Sequence, residues 1–153
     1  MNTFSQQPST KAPSRRENRM AAVQFLYMWS FNQSDNLSES LQLFFQAIEK
    51  PPESYTFAYS LIQGVLSYLT TIDDTIRQYA QNWAFHRIDK IDLAILRLAI
   101  FELLYRNDIP PIVSINEAIE LGKIFSTPDS KRFVNGILDK LKDTLNRSPR
   151  NTP

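Results

Sequence analysis

The sequence predicts an all-α domain of about seven helices. Apolar residues recur at three- to four-residue spacing through most of the chain, and no segment is a credible strand. Residues that start and stop helices separate these segments. With 3 Gly in 153 residues, a fold built on tight turns or glycine-rich phosphate loops is disfavoured. The short connections between helices favour packed antiparallel neighbours.

Three helices are predicted in the first half of the chain. The first spans about residues 16–32 and carries an apolar stripe. Asn36 or Ser38 caps the second, which ends before Pro51-Pro52 because the residue preceding a proline avoids helical geometry. The third begins with Pro52 in its first turn, where the missing N–H costs nothing, and continues to about residue 69.

A fourth and a fifth helix are predicted next. Thr70 or Thr71 caps the fourth, which extends to about Trp83. The fifth spans about residues 90–106 and is apolar nearly all round. A helix of that kind is surrounded by others, so we expect it at the centre of the domain.

The last two helices have explicit start signals. Ser114-Ile-Asn-Glu117 matches a capping box, in which the hydroxyl and the carboxylate each accept from a free backbone N–H. Thr127-Pro128-Asp129 supplies a cap, a proline at the first helical position and an acid facing the positive end of the helix dipole.

Charge is concentrated at the two ends of the chain. Residues 1–14 are polar and predict a disordered leader, and residues 148–153 predict a frayed tail. Residues 1–20 carry +3 and residues 131–153 carry +4, which leaves −6 for the middle of a chain of net charge +1. Basic ends suit a polyanionic partner. The alternative is that charged tails simply keep the domain in solution.

Composition excludes several classes of function. The absence of Cys excludes disulfides, Cys-ligated zinc, iron–sulfur clusters and thiol catalysis, and a single His excludes a multi-His metal site. His86 is either a general base or, as we favour, a partly buried side chain bonded to a backbone carbonyl. No apolar run approaches the ~20 residues that span a bilayer, and no signal peptide is apparent, so a cytoplasmic protein is expected.

No other group suggests catalysis. Glu117 and Glu120 lie three residues apart, but capping explains the first and solvation the second. Gly122 and Gly136 belong to no phosphate loop, so we expect them to permit close helix packing. Asn135 disfavours its helix, and its amide is expected to bond a neighbouring loop. We therefore predict a protein that is not an enzyme and needs no cofactor or metal.

The features that favour nucleic acid are more specific. Arg15, Arg16 and Arg19 precede an amphipathic helix, and their spacing brings Arg19 onto one face with Arg15 or Arg16. Tyr27, two turns further, either offers its ring to an unstacked base or is a core aromatic with a solvated hydroxyl. Phe133 follows two basic residues near a helix start, although a core role is the stronger explanation for it.

Two blocks of sequence carry a family resemblance. The first is Arg15-Arg16-x-x-Arg19 followed by Ala22-Val23-Gln24-x-Leu26-Tyr27-x-Trp29. The second, more specific block is an ordered set of motifs: Ala94-Ile95-Leu96-Arg97-Leu98-Ala99-x-x-Glu102-Leu103, Pro110, Ile115-Asn116-Glu117-Ala118-Ile119-Glu120-Leu121 with Lys123, and Asp129-Ser130-x-x-Phe133-Val134-Asn135-Gly136-Ile137-Leu138-Asp139-Lys140. Over roughly residues 15–142 the chain resembles the NusB family of bacterial transcription antitermination factors.

The resemblance implies a fold and a function. The fold is a single RNA-binding domain over residues 15–147, made of two packed helical subdomains at about 15–69 and 70–147. The function is transcription antitermination without catalysis. NusB proteins pair with NusE, a small-subunit ribosomal protein, and bind the single-stranded boxA element of ribosomal RNA leader transcripts. NusA, NusG and RNA polymerase join the complex indirectly.

The resemblance also implies site residues. It assigns RNA contacts and modulation of RNA affinity to Arg15, Arg16, Arg19, Tyr27, Asp129 and Phe133. It assigns the NusE-facing surface to Tyr27, Asp92 and Arg97. Two departures from the family pattern matter: Glu17 and Asn18 dilute the arginine cluster, and Asp92 is shorter than the family's usual glutamate, which loosens a salt bridge to NusE.

Two alternative functions belong to other classes. A NusB-like domain also precedes the catalytic domain of some ribosomal RNA cytosine methyltransferases, but 153 residues leave no room for that domain. Some family members form homodimers that hide the RNA surface. The second alternative is therefore that the chain is a homodimeric structural or storage protein, or an accessory factor in ribosomal RNA maturation.

Overall fold

A computed structural model of the chain describes residues 12–81 and 83–145. Those residues form seven α-helices and two short 3-10 turns, with no strand among them. The all-α prediction and its number of helices are therefore confirmed. The helices are α1 (Arg15–Phe31), α2 (Leu37–Ala47), α3 (Thr56–Ser67), α4 (Leu69–Tyr79), α5 (Lys90–Tyr105), α6 (Pro111–Phe125) and α7 (Pro128–Lys142).

Helix α5 is the centre of the fold, as predicted. Every residue from 92 to 103 is buried, and α5 packs against α1, α3, α4, α6 and α7. The hydrophobic core is continuous across the predicted subdomain boundary near residue 69, because α1 packs on both α3 and α5. The division into two subdomains stays a prediction.

Helix α1 begins with a capping box that the sequence analysis missed. The Glu17 backbone N–H donates to Ser14 Oγ at 3.0 Å, and the Ser14 N–H donates to Glu17 Oε1 at 3.4 Å. Glu17 thus has a structural task at the helix start. Ser14 was placed at the end of the predicted leader; residues 1–11 of that leader and the predicted tail at 148–153 lie outside the described residues.

Residues 36–79 agree with the prediction only in part. Asn36 caps α2 through its side chain, which settles that alternative. Pro52 starts a separate 3-10 turn over Pro52–Ser54, and α3 begins only at Thr56. Helix α4 begins at Leu69 without a side-chain cap, so the threonine caps were wrong.

The capping box at Ser114 was also wrong. Helix α6 begins at Pro111, so Ser114 lies inside its first turn rather than at its cap. Its hydroxyl donates to Glu102 Oε1 at 2.7 Å, and Glu117 bonds to arginine instead of to the helix start. The Thr127 cap of α7 is confirmed, because the Ser130 N–H donates to Thr127 Oγ1.

Neither predicted packing glycine permits a close helix contact. A Cβ at Gly122 or Gly136 would meet no described heavy atom within 4 Å. The close approach occurs at Gly64 in α3, where a Cβ would overlap the Phe101 ring of α5. Asn135 does not bond a loop, since its buried Oδ1 has no hydrogen-bond partner among the described residues.

Candidate nucleic-acid interface

The start of α1 presents two exposed guanidinium groups. Arg15 lies over the Phe57 ring of α3, with its Cζ 4.3 Å from the ring centroid. Arg16 Nε donates to Glu117 Oε2 of α6 at 3.0 Å, and its side chain keeps 51% of its surface exposed. We call Arg15, Arg16 and their neighbours Phe57 and Glu117 the basic end. Both arginines can reach a phosphate from there.

Arg19 is not part of that exposed surface. Its side chain is 2% exposed and donates twice to Glu102 of α5, at 2.8 Å from both Nε and Nη2. Ser114 donates to the same carboxylate, and Glu117 Oε1 lies 3.8 Å from Arg19 Nη1. Arg19 is therefore engaged within the domain, and its contact with RNA stays a prediction. The buried Arg19 guanidinium is already paired with Glu102, and this pairing fixes α1 against α5 and α6.

A further arginine, absent from the predicted site, lies near the basic end. Arg106 donates to both carboxylate oxygens of Asp108 at 2.8 Å, and its Cζ lies 5.3 Å from the Phe57 centroid. Hydrogen bonding from Arg106 is the main cause that lowers the pKa of Asp108 from 3.8 to about 2, with a minor contribution from the charge of Arg15. Because Asp108 is ionised at neutral pH, it offsets the charge of Arg106.

The remaining candidate residues lie at the opposite end of α1. Helices α1 and α5 are antiparallel, because Arg19 pairs with Glu102 while Phe31, at the end of α1, lies beside Lys90 at the start of α5. Arg16 and Tyr27 are separated by about 16 Å along the helix axis. The predicted site residues therefore form two groups rather than one.

Tyr27 belongs to an exposed apolar patch. Its ring is edge-on to Phe31 at 5.0 Å between centroids, and Tyr27, Met28 and Phe31 are all exposed. The Lys90 ammonium lies 5.3 Å from the Phe31 ring. The alternative of a core aromatic at Tyr27 is wrong. Three neighbouring apolar side chains in solvent are typical of a protein–protein contact surface.

Asp92 and Arg97 are buried and already paired. Ser126 Oγ donates to Asp92 Oδ1 at 2.6 Å. Arg97 donates from Nε and Nη2 to the two oxygens of Asp73, both at 2.9 Å. Both side chains are buried and engaged within the domain, and their place on the NusE-facing surface stays a prediction. They join α5 to α4 and to the end of α6.

Asp129 and Phe133 line a cleft between the start of α7 and the start of α5. This first cleft has a volume of about 200 Å³, and Asp92 and Trp83 are also in its wall. Asp129 is exposed in the first turn of α7, and Phe133 is half-buried. The structure thus brings three of the predicted residues together, Asp92, Asp129 and Phe133, at the end of the domain away from Arg16.

Comparison with known proteins decides the family. The sequence model of the NusB family matches residues 16–143. The chain is 42% identical over 138 residues to the transcription antitermination protein NusB of Myxococcus xanthus (strain DK1622), covering 88% of this chain and 98% of that protein. The chain belongs to the NusB family.

Solved structures with the same fold agree with this assignment. The T. maritima NusB structure superposes with a TM-score of 0.78 at 33% identity, covering 94% of this chain and 96% of that one. The structure of antitermination factors NusB and NusE in complex with dsRNA superposes with a TM-score of 0.76 at 22% identity, covering 86% and 97%. The latter likeness establishes the fold alone.

Sequence reasoning missed several surface residues. Trp83 was assigned to the end of the fourth helix, but α4 ends at Tyr79 and the Trp83 side chain is 57% exposed. Phe31 was not singled out, although it is more exposed than Tyr27. His86 is exposed rather than partly buried. One feature of the sequence indicated the exposure of two of them. Trp83 and Phe31 both lie at the end of an apolar helical stripe, beyond which the regular pattern of buried positions does not continue.

The described part of the chain shows no grouping typical of a metal centre. Within 12–81 and 83–145, no group of three or more His, Asp or Glu side chains is placed to hold a metal ion. None of the helices there is both long and apolar enough to cross a membrane.

Proposed function

We propose that this chain is a transcription antitermination factor. It binds the boxA RNA of ribosomal RNA leader transcripts together with the ribosomal protein NusE, within an RNA polymerase antitermination complex. The observation that carries the proposal is the family match over residues 16–143, which includes the first cleft and all of the basic end except Arg15. Relatives of similar length carry the name transcription antitermination protein NusB.

The RNA surface consists of the basic end and the first cleft. Arg15 and Arg16 contact phosphates, and a phosphate must displace Glu117 to take Arg16. Phe133 offers a ring to a base, and Asp129 beside it repels phosphate and so modulates affinity. An unpaired strand is flexible enough to follow the domain from one group to the other.

NusE occupies the apolar patch around Tyr27. Tyr27, Met28 and Phe31 supply the apolar contact, and Lys90 beside them supplies a charge. Asp92 and Arg97 contribute indirectly by fixing the helices under this surface. Binding RNA and NusE together makes each contact stronger than it is alone.

The protein acts by assembly rather than by catalysis. NusA, NusG and RNA polymerase join the RNA-bound pair indirectly, and this takes place in the cytoplasm, where bacterial transcripts are made. Relatives such as the Myxococcus xanthus protein support this role, since they are named for antitermination.

The test is a titration of labelled leader RNA with this chain and NusE. Arg15→Ala and Arg16→Ala are expected to weaken binding and to flatten the plot of log affinity against log salt by about 0.7 for each phosphate that is no longer neutralised. Arg77→Ala is a matched control. Arg77 pairs with Asp74 at 3.0 Å, is 53% exposed, and stacks on a phenylalanine ring, but lies on α4.

Three outcomes contradict parts of the proposal. If leader RNA does not bind the wild-type chain even with NusE present, the proposed function is wrong. Arginine variants that bind like Arg77→Ala remove the basic end from the RNA surface. A homodimer that persists at saturating NusE and RNA favours the storage alternative, and size measurement detects it.

A further inference from the structure

A second cleft lies on the other side of Phe133. It is formed between the end of α4 and the middle of α7 and has a volume of about 220 Å³. Trp83 and Phe133 belong to the walls of both clefts, so their ring pair forms a ridge that separates them. The second cleft also contains Arg132, Gly136 and Lys140. The family resemblance assigned none of these three residues, nor Trp83, to RNA.

Trp83 has the position of a stacking platform. Its indole is 57% exposed, and its centroid lies 5.4 Å from that of Phe133, with the rings at 61° to each other. The half-buried Phe133 ring packs against the core, supports the indole from one side and leaves a face accessible. Exposed aromatic rings beside cations are the chemistry by which proteins hold unpaired bases.

The cations of this cleft are free to bind. Neither Arg132 nor Lys140 forms an ion pair with any residue in the described ranges, whereas Arg16 at the basic end is paired with Glu117. Both are on α7, about 12 Å apart along its axis, and both line the second cleft. Arg132 and Lys140 can therefore each bind a phosphate of the strand without displacing a carboxylate.

Gly136 keeps the cleft open. Glycine disfavours the helix in which it lies, and a Cβ at this position would meet no described heavy atom within 4 Å. No close packing in the described residues accounts for it. A larger side chain at Gly136 would extend into the space that the cleft encloses, since Gly136 is one of its lining residues.

We propose that the second cleft binds a further nucleotide of the single-stranded RNA, with the base on Trp83 and its phosphates at Arg132 and Lys140. The strand passes over the Trp83–Phe133 ridge from the first cleft to the second. The inference rests on the proposed RNA-binding function and extends its site beyond the first cleft. Two unpaired cations and an exposed indole favour RNA over a second copy of the chain, whose docking would need a larger apolar face.

Fluorescence of Trp83 gives a direct test. The chain has 2 Trp, and Trp29 is buried, so a Trp29→Phe variant leaves Trp83 as the sole tryptophan emitter of this chain. Titration of this variant and NusE with unlabelled leader RNA is expected to quench the Trp83 emission, with a midpoint equal to that of RNA binding. Full binding with unchanged emission overturns the inference.

Affinity measurements with labelled leader RNA and NusE complete the test. Trp83→Ala is expected to weaken binding about tenfold, which is within the range for one base stacked on an aromatic ring. Because Trp83→Ala also removes one half of the ridge, Gly136→Leu and Lys140→Gln are measured beside it; both leave Trp83 and Phe133 in place. Gly136→Leu is expected to weaken binding by blocking the cleft, and Lys140→Gln to flatten the salt dependence by about 0.7.

Lys123→Gln on α6, which lines neither the first nor the second cleft, is the charge control. Thermal unfolding shows whether Gly136→Leu is folded. Wild-type affinity for both Gly136→Leu and Lys140→Gln, while Arg15→Ala still weakens binding, overturns this inference and leaves the proposed function intact. Failure of the wild-type chain to bind the RNA overturns both. Equal quenching by a free mononucleotide shows a nucleotide site that is not an RNA site, and also contradicts the proposal.

Discussion

Replacing Arg19 separates a structural arginine from the two exposed arginines that we propose contact RNA. Arg19→Ala removes a guanidinium that makes two hydrogen bonds to Glu102 at 2.8 Å, and both side chains are almost fully buried. The Glu102 carboxylate is then left buried with only Ser114 as a donor. Removing one partner of a buried pair costs about 3–5 kcal/mol.

This loss of stability is large enough to measure easily. At about 2–4 °C per kcal/mol for a domain of this size, the melting temperature of Arg19→Ala is expected to fall by roughly 6–20 °C. Urea unfolding followed by far-UV circular dichroism gives the free energy directly. Arg16→Ala is the control, because its pair with Glu117 is half-exposed and contributes about 1 kcal/mol or less.

The double variant Arg19→Met with Glu102→Leu sharpens the test. Replacing both charges by apolar groups of similar size is expected to recover most of the stability that Arg19→Ala loses. Loss of RNA binding in Arg19→Ala would then reflect unfolding and not a missing phosphate contact. Equal stability of Arg19→Ala and Arg16→Ala would refute this reasoning, since it would show that Arg19 is not held in the interior.

Three smaller predictions concern packing, capping and pH. Gly64→Ala is expected to destabilise the fold by about 1–3 kcal/mol because its Cβ overlaps the Phe101 ring, as thermal unfolding would show. Thr127→Ala is expected to cost about 1 kcal/mol in urea unfolding because α7 loses its cap. The pKa of Asp108 is about 2 in the fold against 3.8 ordinarily, so its bond to Arg106 stabilises above pH 3.8 and is lost as the pH falls towards 2. In urea unfolding at a series of pH values, Asp108→Asn should lose less stability than wild type over that interval, by a small amount because the side chain is half-exposed.

Local sequence rules predicted the helices better than their starts. The same Ser-x-x-Glu pattern occurs at Ser14 and at Ser114, and only the first is a capping box. At the second position Pro111 had already begun the helix, and Glu102 and Arg16 provided stronger partners for Ser114 and Glu117. A capping rule describes four neighbouring residues and contains no information about side chains that arrive from another helix.

The candidate site shows the same limit. Helical spacing correctly brought Arg16 and Arg19 towards a common side, since both approach Glu117. It could not show that Glu102, far away in sequence, buries Arg19, or that Asp73 holds Arg97. Most arginines are exposed, and only the packed structure identifies those whose guanidinium groups are buried in ion pairs.

The antiparallel packing of α1 and α5 fixes the distance between the basic end and the first cleft. A packed helix does not stretch, so the interval between the basic end and the first cleft is as constant as the helix itself. An RNA strand that binds at both places, as we propose, needs enough nucleotides between the two contacts to cover this distance. Deleting or inserting a nucleotide between the two contacts would change the affinity for RNA, whereas changing the identity of those bases would affect it far less. Selectivity of this kind counts nucleotides instead of reading them.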